Sequence, residues 1–197
     1  MGIKRAFSKK KILIGENIDL VKSMIDHSNG LYQQIKSPGV LENLTIDIED
    51  EFEFRKYLIY IENQWSLNHD FTFSISLKGV KNNPKQTFIG QVSMYSLNFL
   101  HSRAEIGIWL GRAHWNKGIA KEALKMLISH AFLDIHLNRL QAHIFTKNDS
   151  SIKLFENLGF KREGLNERYV KKTDGEFNDV YVYALLFENW GKNQLKI

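Results

Sequence analysis

Apolar positions recur along this chain with two periods. Phe71, Phe73, Ile75 and Leu77 alternate with polar residues, the two-residue period of a strand with one buried face. Further strands are predicted over 11–14, 87–97, 103–110, 139–145, 160–170 and 177–186. A period near 3.6 predicts helices elsewhere. Over 17–27 it places Ile18, Val21, Met24 and Ile25 on one face. A second helix runs from a cap at Asp47 to about Trp65, with acidic residues in its first turn. A third, 117–132, stacks Ala120, Leu124, Leu127, Ile128 and Ala131, and a fourth, 150–158, ends at Gly159. Ser37-Pro38-Gly39, the segment 79–85 and Asp174-Gly175 are turn signals. The order βαα, βββ, αβ, αββ implies an α/β (α+β) fold: a mixed, mostly antiparallel sheet flanked by helices.

Composition narrows the class. At 197 residues, 43% hydrophobic and 12% aromatic, with no repeat or linker, the chain reads as a single domain over 1–197. Lys4-Arg5 and Lys9-Lys10-Lys11 begin like a targeting segment, but no apolar stretch of suitable length follows, so no signal peptide is expected. No stretch reaches the length of a membrane span. The chain has no cysteine, which excludes a disulfide, a thiol nucleophile and a Cys-based metal site. The seven histidines, His130, His136 and His143 among them, show no metal spacing. A cytoplasmic protein without a metal or a membrane partner is the expectation. The net charge of +5 suits an anionic ligand, while no nucleic-acid motif is present, so nucleic acid is not an expected partner.

The chemistry concentrates after a strand-like run. Ala104-Glu105-Ile106-Gly107-Ile108-Trp109-Leu110 leads into Trp115-Asn116-Lys117-Gly118-Ile119-Ala120 and then into an amphipathic helix. Strand, glycine turn and helix N-terminus present several backbone N–H groups to an anion, and Lys117 adds a charge. The spacings of a P-loop and of a dinucleotide fingerprint are both absent. Alternation places Glu105, Gly107 and Trp109 on one strand face and Ile106, Ile108 and Leu110 on the other.

Together, Glu105 to Leu110, Trp115 to Ala120 and Glu122-Ala123-Leu124 resemble the acetyl-CoA-binding core of the GNAT acyltransferase superfamily. Gly118 and Ala120 match the fourth and sixth positions of its Q/R-x-x-G-x-G/A loop, and Trp115 departs at the first. That departure resembles the RimJ/RimL-like branch, which acetylates protein N-termini. Asn148-Asp149-Ser150-Ser151, Leu158 to Gly164, and the ending Asp174 to Tyr181 with Trp190 resemble that branch too. The likeness covers about residues 71–190, and the first 70 match in layout only.

The resemblance implies a GNAT fold with a splay between the family's fourth and fifth strands, and acetyl-CoA as cosubstrate. It implies that Asn116, Lys117, Gly118, Ile119 and Ala120 hold the pyrophosphate. Ile108, Trp109 and Leu110 line the pantetheine slot, with Asn148 and Ser151 facing them. An amine attacks the thioester directly, with Glu105 as base. Phe155 stands where many members carry a tyrosine acid, so Ser151 is the substitute acid. The acceptor is a protein N-terminus, such as that of a ribosomal protein, or a small amine such as a polyamine, an aminoglycoside or an amino sugar. A coenzyme A-binding module without catalysis is the competing reading. Glu42, Asp47, Glu49, Asp50, Glu51 and Glu53 form an acidic run that either rims the acceptor site or solvates a helix start. Oligomeric state is left open.

Overall fold

The computed structural model describes residues 9–79 and 88–194. Strands β1 (Ile12–Ile14) and β2 (Ile18–Lys22) are followed by helices α1 (Ser28–Ile35) and α2 (Glu51–Leu67). An antiparallel run follows: β3 (Phe71–Leu77), β4 (Phe88–Asn98) and β5 (Arg103–Leu110). Helix α3 (Ile119–Ser129), β6 (Arg139–Phe145), α4 (Asp149–Asn157), the hairpin β7 (Lys161–Lys171) and β8 (Phe177–Leu186), and α5 (Phe187–Gln194) complete the order. The eight strands form one sheet in the order β1-β2-β3-β4-β5-β6-β8-β7, and β5–β6 is its parallel pair. The turn expected over 79–85 falls largely outside the described residues, as does Thr87.

Period-2 patterning sorts the sheet into two packed faces. Phe71, Phe73, Ile75, Val92, Met94 and Ile106 pack with Ala123, Leu124 and Leu127 of α3. On the other face, Leu31 and Ile35 of α1 and Phe54 and Leu58 of α2 pack around Trp109. Trp65, near the end of α2, joins the first core through ring contacts 5.0 Å from Phe71 and Phe73.

The helix expected over 17–27 is a strand followed by a short 3-10 turn, Ile25–His27. Both patterns use Ile18, but only the strand also buries Leu20, and both residues are fully buried. The helical face would have required Met24 inside, and Met24 is 36% exposed. Pairing with β1 and β3 on both sides overrides the helical period, and β-branched Ile18 and Val21 suit the strand.

The cap of α2 is Asp50 rather than Asp47. Its Oδ1 accepts the Glu53 N–H at 2.8 Å, and Glu53 Oε2 accepts the Glu49 N–H at 2.9 Å, a reciprocal box shifted by one residue. Asp47 instead accepts from Lys172 at 3.0 Å. The third helix also ends earlier than its pattern, because His130–Asp134 forms a π-type turn. There the buried His130 Nδ1 lies 2.7 Å from Asp134 Oδ2, which also takes Lys10 Nζ at 2.8 Å. Helix α5 has no counterpart among the expected elements.

Glu122, in the first turn of α3, fastens that helix to the β1–β2 turn. Its Oε1 accepts the N–H groups of Glu16 and Asn17 at 2.9 Å each, and its Oε2 accepts Asn17 Nδ2 at 3.0 Å. Burial pulls the Glu122 carboxyl upward, but the bonds from Asn17, Glu16 and Ile18 outweigh it and hold it below the usual carboxylate range. Burial pushes the His130 imidazole below its ordinary value despite Asp134. Both folded-state values lie below the unfolded ones, so the unfolded chain binds more protons as pH falls. The thermal midpoint should therefore decline below about pH 6.5 as His130 is forced to charge, and further as the pH falls through the ordinary carboxylate range, because folding holds Glu122 ionised. Differential scanning calorimetry across that range checks this, and Glu122→Gln should flatten the lower part of the decline while leaving the upper part.

Candidate active site

Strands β5 and β6 pair only at Arg103↔Arg139, Ala104↔Leu140 and Glu105↔Gln141, then part. The Gly111 N–H donates to Ile89 O at 2.9 Å, which sets the hydrogen-bonding phase of β5 against β4. By that alternation, Trp109 and Gly107 bond toward β4, while the backbones of Ile108 and Leu110 face the gap. β5 and β6 therefore splay, the feature the resemblance implied between a fourth and a fifth strand.

Trp115 closes one end of the gap. Its Nε1–H donates to Leu110 O at 2.7 Å, Arg112 lies 4.4 Å over its ring, and a Cβ on Gly39 would come within 3.3 Å of it. The unusual residue at the loop's first position thus welds the strand end to the loop before α2. The Leu110 carbonyl is committed to Trp115, which leaves the Ile108 N–H and C=O and the Leu110 N–H to face the gap.

The turn that follows takes left-handed backbone at Asn116 (φ 59°) and Gly118 (φ 78°). A Cβ on Gly118 would meet nothing within 4 Å, so the turn is open to approach as well as left-handed. No side chain caps α3. Its first carbonyl bond comes from Glu122 N–H to Gly118 O, and the N–H groups of Ile119, Ala120 and Lys121 precede that bond. These groups open into a cleft of about 730 Å³. Ile108, Trp109, Leu110, Asn116, Lys117, Gly118, Ile119, Ala120, Asn148 and Ser151 all line it, and Lys121 and Lys147 add positive charge to its wall. The indole Nε1 of Trp109 and the Oε1 of Gln91, its cross-strand neighbour, are buried with no partner among the described residues.

A recess of about 100 Å³ adjoins the cleft and shares Asn43, Leu44, Ile108, Asn148 and Ser151 with it. Asn148 is the cap of α4, and its Oδ1 accepts the Ser151 N–H at 3.1 Å. Ser151 lies in the first helical turn, half-buried, and its hydroxyl has no partner among the described residues. Phe155, one turn further, is buried edge-on against Phe160 and brings no proton to the recess. Lys172 clamps the opposite wall by donating to Leu41 O, Leu44 O and Asp47 Oδ1 at 3.1, 2.8 and 3.0 Å. Half of the acidic run therefore has a structural use: Asp47 binds Lys172, while Asp50 and Glu53 cap α2. Glu42, Glu49 and Glu51 are exposed.

Glu105 is half-buried, and its Oε2 lies 2.9 Å from His143 Nδ1. His143 lines the recess, together with Tyr95, which stands opposite Glu105 on β4. Burial, then the charge of Glu105, pushes the Tyr95 phenol well above its ordinary value, so it stays protonated. His143 was not legible as a site residue, because metal spacing is the wrong signal for it. The usable signal is its place two residues beyond Gln141, which pairs with Glu105. Among the described residues, no group of three or more His, Asp or Glu could hold a metal ion, and no helix is long and apolar enough to cross a membrane.

A split parallel pair, an uncapped glycine turn at its mouth and a carboxylate on the splayed strand are the features that the resemblance to an acyltransferase fold led one to expect. Residues 24–161 match the acetyltransferase (GNAT) domain family, and the chain belongs to it. The protein is an N-acetyltransferase of that family. It is 34% identical over 175 residues to the uncharacterized N-acetyltransferase p20 of Bacillus licheniformis, covering 88% of this chain and 95% of that one. In three dimensions it matches a crystal structure of a putative acetyltransferase with a TM-score of 0.81, 23% identity and 97% coverage of both chains. It also matches RimL, a ribosomal L7/L12 alpha-N-protein acetyltransferase, with a TM-score of 0.78, 18% identity, and coverage of 92% of this chain and 99% of that one. At these identities the structural matches establish the fold.

Proposed function

We propose that this protein transfers the acetyl group of acetyl-CoA to a primary amine, with a protein N-terminus as the first acceptor. The observation that carries the reading is the convergence of ten loop, strand and helix residues on one cleft that adjoins the recess lined by His143, the hydrogen-bond partner of Glu105. The cleft fits an elongated anionic ligand: orphan N–H groups and the lysines Lys117, Lys121 and Lys147 suit phosphates, and the free backbone edge of β5 suits an amide-bearing arm. When bound, acetyl-CoA supplies an acyl group activated as a thioester. The Ile108 and Leu110 backbone groups that face the gap would align the arm, as would Asn148 through the amide hydrogens its cap leaves free. A backbone N–H at the splay would polarise the thioester carbonyl.

The acceptor nitrogen must lose a proton to attack, and Glu105 takes it directly or through water. The nitrogen lone pair then forms the new C–N bond as the C–S bond breaks, the nitrogen gives up its second proton to solvent, and Ser151 can relay a solvent proton to the leaving thiolate, ending as the hydroxyl it began. The buried phenyl ring of Phe155 makes Ser151 the hydroxyl available from α4.

The RimL fold match supports the protein N-terminus. A small amine is a second reading, favoured by the narrowness of the recess and by the Lys172 clamp on its wall. Comparison of kcat/KM for short peptides with a free α-amine, spermidine, an aminoglycoside and an amino sugar separates the two. Peptides should be preferred, and a preference for a small amine by tenfold or more, about 1.4 kcal/mol, would overturn that choice.

A further inference from the structure

Glu105 and His143 come from strands that part just where the two side chains meet. His143 lies on the same face of β6 as Gln141, the last residue to pair with β5. Its side chain is only 10% exposed, and its Nδ1 is 2.9 Å from Glu105 Oε2. An ionised carboxylate can only accept, so in this bond the imidazole Nδ1–H donates. The bond uses one carboxylate oxygen and leaves Oε1 to receive a proton.

The imidazole is itself held. The Tyr169 ring stacks on it, with centroids 5.1 Å apart and planes at 21°. Tyr169 reaches it from an irregular stretch of β7, where the register against β8 shifts between Asn166 and Val170. In that bulge Arg168 takes a left-handed backbone (φ 52°), and its N–H donates to Asp179 Oδ1 at 2.7 Å. A bulge of this kind re-aims a side chain out of the regular pleat. The titratable groups facing the pair are Tyr95 from β4 and Tyr169 from β7.

We propose that His143 is the positioning residue of the Glu105 base, with its ring fixed by Tyr169 from the Asp179-held bulge. The inference rests on the reading of Glu105 as base. His143 fixes the carboxylate so that Oε1 receives the amine proton. The bond to Nδ1–H is kept throughout, and the proton later leaves Oε1 to solvent.

Steady-state kinetics of His143→Ala, His143→Asn and the double variant with Glu105→Gln test this. His143→Ala should lower kcat about 10- to 100-fold, the scale of a misplaced catalytic group, with KM for acetyl-CoA unchanged. His143→Asn keeps an N–H where Nδ1 stands and should recover most of the loss. In the Glu105→Gln background, His143→Ala should cost almost nothing more. Wild-type rates in His143→Ala, equal damage in both single variants, or a full additional loss in the double variant would each overturn the inference while leaving the acetyltransferase reading intact. A wild-type protein that releases no thiol with any amine would defeat the base reading itself. Nitrogen NMR of the wild-type imidazole gives a readout independent of turnover and of variant folding. A protonated Nδ1 that loses this preference in Glu105→Ala is expected, and protonated Nε2 with bare Nδ1 in the wild type contradicts it.

Discussion

Glu105→Gln should lower kcat by about 10²- to 10⁴-fold, the range of general base catalysis, while binding of coenzyme A stays unchanged. The amide keeps the shape and the hydrogen-bonding reach of the carboxylate but cannot take a proton. The size of the loss should depend on the acceptor. An α-amine is about one-tenth neutral near pH 7, whereas an alkyl amine is neutral in fewer than about one molecule in a thousand. The variant should therefore hurt a polyamine more than a peptide N-terminus, and raising the pH should rescue the peptide first. A protein that only senses coenzyme A would be indifferent to this substitution in every respect. Stopped assays of thiol release, alongside calorimetric titration with coenzyme A, check both halves.

Gly118→Val should raise KM for acetyl-CoA by tenfold or more and leave the fold largely in place. Gly118 sits at φ 78°, where a residue with a Cβ is strained by about 1–2 kcal/mol and a β-branched one by more. Its Cβ direction is empty, so no neighbour in the protein has to move. The added side chain instead stands on the open mouth of the turn, between the N–H groups and any ligand. Gly118→Ala should show a smaller effect of the same kind. Once acetyl-CoA is saturating, kcat should be close to wild type, because Glu105 and Ser151 lie elsewhere. A KM unchanged in both variants would remove the turn from the cofactor site.

The chain wrote its sheet plainly, because β3 to β6 and the terminal hairpin each carry strong alternation or a turn signal. Local patterning failed at Ile18–Lys22, where a helical and a strand period share Ile18 and only pairing with β1 and β3 decides between them. It failed by three residues at Asp50, because Asp47 and Asp50 compete as caps and Lys172, distant in sequence, claims Asp47. Of the candidate site, the glycine turn and Glu105 were candidates from motif and spacing. Four features were not. His143, Tyr169, the Lys172 clamp and the Asp179-held bulge act across 38, 26, about 130 and 11 residues of sequence. Their meaning appears only once β5, β6 and the hairpin are side by side. Trp115 was legible as a departure, but its physical use, a bond to the Leu110 carbonyl, was not.

The most direct test of the central claim is a single-turnover experiment. The protein is mixed with acetyl-CoA carrying a labelled acetyl group and an α-amine peptide, and thiol and peptide mass are followed together. Stoichiometric free thiol with one labelled acetyl on the peptide nitrogen, lost in Glu105→Gln, is the predicted result. Tight binding of acetyl-CoA without acetyl transfer to the peptide or to any of the small amines would contradict it.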